Sequence, residues 1–313
     1  MVDLQLNLPA HFLDGEERNG YYVSPEMKMV WAVELDLLNE YARVCTKHNL
    51  KWFVHAGTLL SAVRHHGFIP WDDDIDVVMP RKDYEKMCQV ASREFVRPYF
   101  LQNENSDPFF CKNFSKLVNL QTTCIEEADK CRPIKHAVFI DIFPYDNVPD
   151  DEGERTVMFE KLTDYHNKAW MYCNMVNFYQ PKKGRGMKKR LSYFIKHLSY
   201  KYIFEEKGDY LLYMKKHLEL AVSYNGCSTK RVGEVIIPPL GRHIWDKEWV
   251  EDVAYLPFEM LSVPVPVGFE HCLETSFGVD WRTPKQVASM HSGMTYDVNC
   301  SYDEYVMSHQ TAK

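Results

Sequence analysis

The feature that most constrains how this chain folds is a run of four carboxylates set inside an apolar stretch: Asp72, Asp73, Asp74 and Asp76. Phe68, Ile69, Pro70 and Trp71 precede the run, and Ile75, Val77, Val78 and Met79 interleave with it or follow. Carboxylates this close repel one another, so the group needs a cation or solvent beside it. The apolar flanks pin it to the edge of a core and exclude a solvated tail. Ile75 to Met79 reads as a short buried strand ended by Pro80. Side chains alternate along a strand, so Asp74 and Asp76 share a face. Two carboxylates at a strand end can hold one hard divalent cation.

The segments around this run suggest what it serves. Lys51 to His55 reads as a strand, and Ala56-Gly57-Thr58 turns into a short helix from Leu59 to Arg64. A glycine there lets a ligand approach the backbone, and free N–H groups at a helix start attract phosphate. Further on, Ala137 to Phe143 reads as a buried strand ended by Pro144, with Asp141 alone in the apolar run. A buried carboxylate requires a partner. Asp141 is therefore either a structural ion-pair member or a third metal ligand beside Asp74 and Asp76. Strands are also expected at Tyr99–Gln102 and Phe114–Val118, the latter carrying Lys116, a candidate phosphate contact. Helices are expected over 24–48, where Ser24 caps and Pro25 opens, and over Arg81–Phe95.

With 313 residues the chain can bury a sizeable core. Its net charge of −7 gives no reason to expect a nucleic-acid partner. Nine cysteines are scattered without a CxxC pair. With the polar N-terminus, they read as thiols of a reducing, cytoplasmic compartment. Cys111, Cys124 and Cys131 match no zinc spacing, so ordinary buried thiols are expected.

Five segments follow from texture: an irregular start (1–23), a catalytic core (24–150), a helical region (151–230), a part completing the catalytic domain (231–295) and a polar, fraying tail (296–313). Within the helical region, residues 182–201 carry eight Lys and Arg, no acid, and interleaved Leu, Tyr, Phe and Ile. That pattern suits either a solvated helix packed on the body or a basic amphipathic helix on an anionic membrane surface.

The run HAGTLLSAVRHHGFIPWDDDIDVVMPRKDYE resembles the signature of the LicD family of phosphocholine and related phosphotransferases, which is similar to the catalytic domains of fukutin and the fukutin-related protein. FIDIFPYDNVP (Phe139–Pro149) and VPVPVGFEHCLETSFGVDW (Val263–Trp281) fit the same pattern. The resemblance implies an α/β (α+β) class, nucleotidyltransferase-like fold: a mixed sheet flanked by helices, here with a helical insertion. It implies a CDP-linked donor such as CDP-choline, whose phospho-alcohol moves to a hydroxyl of a glycan or a lipid-linked glycan precursor, releasing CMP. Gly57 and Thr58 would then lie at the donor phosphates. Asp74 and Asp76 would hold Mg²⁺ or Mn²⁺, and Asp141 would be the third acid. The zinc-binding insertion of the fukutin-related protein has no equivalent cysteine cluster here, and no zinc is expected.

The expected chemistry follows from charge. Attack on a pyrophosphate builds negative charge, which a cation held by Asp74, Asp76 and Asp141 would offset. Arg64 is a candidate for the diphosphate. Asp141 is a candidate base, with His55, His65 and His66 as alternative proton carriers. Three rival readings remain: a nucleotidyltransferase moving NMP from an NTP, a DxD glycosyltransferase, and a catalytically dead binding module. The place expected for the enzyme is the cytoplasm, at the inner membrane face where glycan precursors are built.

Overall fold

A computed structural model describes residues 1–127, 129–130, 132–174, 187, 191–192, 194–195, 198–199, 210–236, 242–286 and 293–310. Strand β1 (Glu16–Arg18) and β2 (Tyr21–Val23) form a hairpin, and helix α1 (Pro25–His48) follows. Next come β3 (Phe53–Val54), α2 (Ala56–His65), β4 (Asp76–Pro80) and α3 (Arg81–Glu94). Then follow β5 (Tyr99–Gln102), β6 (Ser115–Asn119), β7 (Thr123–Ile125), β8 (Phe139–Val148), α4 (Glu152–Tyr172) and α5 (Tyr210–Ala221). The last part contains β9 (Arg231–Glu234), β10 (Ile244–Asp246), α6 (Lys247–Val250), β11 (Val253–Phe258), β12 (Leu261–Pro266), α7 (Phe269–Phe277), β13 (Thr295–Asp297) and α8 (Tyr302–Gln310). The class is α/β, with a mixed sheet of seven strands flanked by helices.

Strand β8 is the axis of that sheet. One edge pairs in parallel with β4, and the other pairs antiparallel first with β6 and then with β9. The sequence pattern ends this strand at Pro144, but the strand runs through it. The reason is local. Asp141 donates its N–H toward Ile75, on the β4 side, so the even-numbered residues point their amides the other way. On that edge β6 pairs as far as Ile142 and β9 begins at Tyr145. The missing N–H of Pro144 falls in the gap between two partners, where it costs no ladder bond.

The sheet path β10-β9-β8-β4-β3 is strongly curled. Its two ends meet: Phe53 on β3 lies 6.0 Å from Trp245 on β10, ring centre to ring centre, and Tyr145 of β8 lies 6.0 Å from the same Phe53. The concave face is thus packed with aromatic rings. The opposite face is covered by α1, whose buried Trp31, Leu35, Leu38 and Tyr41 recur at helical spacing; the Tyr41 hydroxyl reaches Met79 Sδ of β4.

Both termini are more ordered than their composition suggests. Asn19 (φ 51°) and Gly20 (φ 73°) occupy the left-handed region between β1 and β2, the conformation an Asn-Gly hairpin turn requires. At the other end, β13 pairs with β7, and α8 follows. The polar tail is therefore built into the body from its first residues. Cys111 and Cys173 form a disulfide, which corrects the reading of every cysteine as a free thiol and departs from the redox environment inferred from it. Cys124 is a buried free thiol, as expected, and Cys131 lies outside the described residues. No helix among the described residues is long and apolar enough to cross a membrane. Most of the basic stretch 182–201 lies outside the described residues; within it Met187, Leu191, Phe194, Ile195 and Leu198 are exposed.

Candidate active site

The curl carries a row of polar side chains across four adjacent strands. Lys116 of β6 stands opposite Asp141 of β8, and Asp141 opposite Asp76 of β4. The His55 N–H, just past β3, donates to the Asp76 carbonyl at 2.9 Å. Residues in register share a face, so this row lies along one end of the concave surface.

The acid run sits at the entry to β4. Oxygens of Asp72, Asp73 and Asp74 lie within 4.8 Å of one another, a spacing at which three carboxylates can share a cation. Strand alternation puts Asp74 with Asp76 on one face; in space Asp72 and Asp73 join Asp74 in the group. Each is held. The Trp31 indole donates to the Asp72 carbonyl (3.0 Å), and the Tyr296 hydroxyl donates to Asp73 Oδ2 (3.0 Å). Asp76 adjoins them. Its pKa is raised well above the carboxylate range, first by burial and then by the charges of Asp74, Asp141 and Asp72. A carboxyl held up by like charges ionises when a cation arrives, so these residues fit a divalent ion.

Gly57 and Thr58 lie in the first turn of α2, directly behind this group. A Cβ at Gly57 would approach Asp72 Oδ2 to 3.1 Å, so the glycine lets the helix start close against the acid run. The Thr58 hydroxyl accepts the Asp76 N–H at 2.8 Å, which ties the helix start to the strand start. No side chain caps the α2 N-terminus, where His55 holds the cap position. The early amide groups of that helix thus face the site uncapped.

Lys116 is enclosed on three sides. Its ammonium lies 2.5 Å from Glu126 Oε1, 3.6 Å from Asp141 Oδ1 and 3.1 Å from the centre of the Phe139 ring. Burial alone would lower its pKa, but Asp141 and Glu126 overcome that and leave it raised, so it stays charged. Arg64 is at the far end of α2. It donates to the Trp281 carbonyl at 2.9 Å and leans on His65, joining the helix to the segment after α7. The His65 pKa is lowered to about 4 by burial and by neighbouring cations, and burial keeps His55 neutral.

One residue was not legible as part of the site. Glu34 of α1 is fully buried, and its Oε2 has no hydrogen-bond partner among the described residues. Its pKa is raised well above normal by burial and then by Asp74, Asp73, Asp72 and Asp141, which places it against the acid group. The only hint in the sequence is a glutamate three residues after Trp31 and next to Leu35, on the apolar side of the helix.

Comparison with known proteins fits this geometry. The family described as LicD/FKTN/FKRP, nucleotidyltransferase domain, matches residues 49–181. Residues 49–181 are similar to a LicD-type nucleotidyltransferase domain. The match begins just before β3 and contains the acid run, the α2 turn, Lys116 and Asp141. The lipopolysaccharide cholinephosphotransferase LicD of Haemophilus influenzae is 32% identical over 118 residues, which is 37% of this chain and 43% of that protein. An uncharacterized protein of Rickettsia prowazekii is 41% identical over 54 residues (17% of this chain, 20% of that one), and one of Rickettsia typhi is 45% identical over 54 residues (17% and 18%). The similarity therefore spans less than half the length of each of these relatives.

Proposed function

We propose that the protein transfers a phospho-alcohol, phosphocholine or a close chemical relative, from a CDP-linked donor to a hydroxyl of a cell-surface glycan or its lipid-linked precursor, releasing CMP. The observation that carries this reading is the carboxylate group at the start of β4, set against the uncapped first turn of α2, within the segment matched by the LicD-type domain. The name of the Haemophilus relative supports the glycan acceptor and the phosphocholine cargo.

Asp74, Asp76 and Asp141 would hold Mg²⁺ or Mn²⁺, which when bound would offset charge developing on the donor diphosphate. Gly57 and the α2 amides would lie along the diphosphate. Lys116 Nζ stands 3.6 Å from Asp141 Oδ1, and Asp141 would either accept the acceptor proton or act purely as a ligand. Arg64, engaged with Trp281, would shape the donor pocket through the segment after α7.

The test is product identification. The protein is incubated with a panel of CDP-alcohols, a divalent cation and a glycan acceptor. CMP release with phospho-alcohol on the acceptor supports the proposal. Pyrophosphate released from an NTP would point to nucleotidyl transfer, and transfer of sugar without phosphate to a glycosyltransferase; either outcome overturns it. A peripheral contact of residues 182–201 with an anionic membrane would bring the enzyme to a lipid-linked acceptor. Replacing Lys182, Lys183, Lys188 and Lys189 with Gln should then weaken sedimentation with anionic vesicles at low salt and spare activity on a soluble acceptor.

A further inference from the structure

A second group of ligand-type side chains lies on the same concave face: His55 at the end of β3, Glu234 of β9 and His243 next to β10. Their nitrogen and oxygen atoms lie within 4.8 Å of one another. We propose that these three residues form a zinc site that clasps the two ends of the curled sheet.

The first argument is the donor set. Two imidazoles and one carboxylate are a standard ligand combination for Zn²⁺, with the fourth position left for water or another ligand. The second is spacing. His243 Nδ1 lies 3.4 Å from Glu234 Oε2. That is long for a charge-assisted hydrogen bond, yet it matches the edge of a tetrahedron whose ligands sit about 2.0–2.1 Å from zinc, roughly 3.3 Å. The His55 and His243 rings meet edge to face with centres 4.5 Å apart.

The third argument is burial. His55 is buried, and its ring nitrogens make no hydrogen bond among the described residues; its ring neighbours are Phe143, Trp245 and His243. Glu234 is buried as well, and one of its oxygens is fixed by the Ile236 N–H at 2.6 Å, leaving Oε2 aimed at His243. An imidazole enclosed by aromatic rings is stabilised there by a cation that engages its nitrogen. The fourth argument is topology. The ligands come from opposite ends of the strand path, and from residues far apart in the chain, so a bound ion would cross-link β3 to the β9–β10 hairpin.

This group borders the aspartates, since the His55 N–H donates to the Asp76 carbonyl, but uses different ligands and does not rest on the transfer reaction proposed above. The test uses the full chain, dialysed against a chelator and then given Zn²⁺, or Co²⁺ as a spectroscopic probe. The expected result is one equivalent of zinc retained through gel filtration, and a Co²⁺ visible band of four- or five-coordinate intensity. His55→Asn, Glu234→Gln and His243→Asn should each raise the metal dissociation constant by more than about 100-fold, since even outer-shell partners are worth about 10–100-fold. Asp76→Asn should leave zinc binding intact. X-ray absorption at the zinc edge of the wild-type protein should show nitrogen and oxygen neighbours only, and this measurement does not depend on any variant folding. Absence of stoichiometric zinc, sulfur in its coordination shell, or equal binding by the three folded variants would each overturn the proposal.

Discussion

At the scale of single residues, Asp76 and Glu34 make opposite demands on the same space. Asp76 opens β4, with its backbone held by the Thr58 hydroxyl, and its carboxyl feels four like charges, Asp74, Asp141, Asp72 and Glu234. Asp76→Asn removes a ligand charge while keeping the shape and the backbone bond. It should lower transfer by about 10²-fold or more while leaving the secondary structure seen by circular dichroism unchanged; near-wild-type turnover would sink the metal assignment. Glu34 reaches the acids from the other side of the sheet, on α1. Glu34→Gln should lower divalent-cation affinity by about 10–100-fold, as for an outer-shell partner, measured by titration of activity against cation concentration. An unchanged cation requirement would make Glu34 a purely structural acid. The two residues also differ in how they show in sequence. Asp76 declares itself because it interrupts an apolar strand beside other acids. Glu34 does not, because a lone glutamate on a helix is ordinarily solvated, and only the packing of α1 against the sheet end turns it inward.

At the scale of elements, local rules located most of the strands and helices around the site, and failed where a second partner changed the rule. Ser24 caps α1 as its type predicts, accepting the Met27 N–H. Pro144 was expected to stop β8 and does not, because the neighbours on that edge change from β6 to β9 at that residue. Residues 1–23 read as irregular because a polar N-terminus offers no apolar alternation to flag strands, yet Asn19-Gly20 turns a β1–β2 hairpin there. The disulfide between Cys111 and Cys173 was not readable at all, since nothing in the spacing of nine cysteines selects a pair. It ties the segment before β6 to the end of α4, beside Tyr172 and Tyr213. Closing a loop of 62 residues restricts the unfolded chain, which by the loop-entropy relation stabilises by about 4 kcal/mol. Reduction, or Cys111→Ala with Cys173→Ala, should therefore lower the unfolding temperature by several degrees and detach α4 and α5 first. Hydrogen exchange concentrated in those helices would show it; uniform loss across the sheet would contradict it.

At the scale of the whole molecule, the curled sheet gathers acids at one end and leaves them in conflict unless a cation is present. The consequence for stability has a definite sign. Asp76 and Glu34 have folded-state pKa values raised well above the usual carboxylate range. Such groups stabilise the fold fully below their unfolded pKa, near 4, and that contribution is lost as pH rises through the raised folded value. Buried histidines work in the other direction. His217, lowered to about 3 by burial and by His166, stabilises the fold above its unfolded pKa near 6.5 and loses that contribution only as pH falls from there toward 3. Above about pH 6.5 the histidine effect is complete and the acids act alone. Unfolding temperature measured in chelator should therefore decline as pH rises from there, and added Mg²⁺ should reverse the decline, because a ligand that binds only the folded state stabilises it. Asp76→Asn should flatten the slope and weaken the response to Mg²⁺ together. The coupling of these two effects is the decisive reading. A slope that persists in the variant would assign the pH dependence to other groups, and a slope unaffected by cation in the wild type would mean that the aspartates at the start of β4 do not bind one.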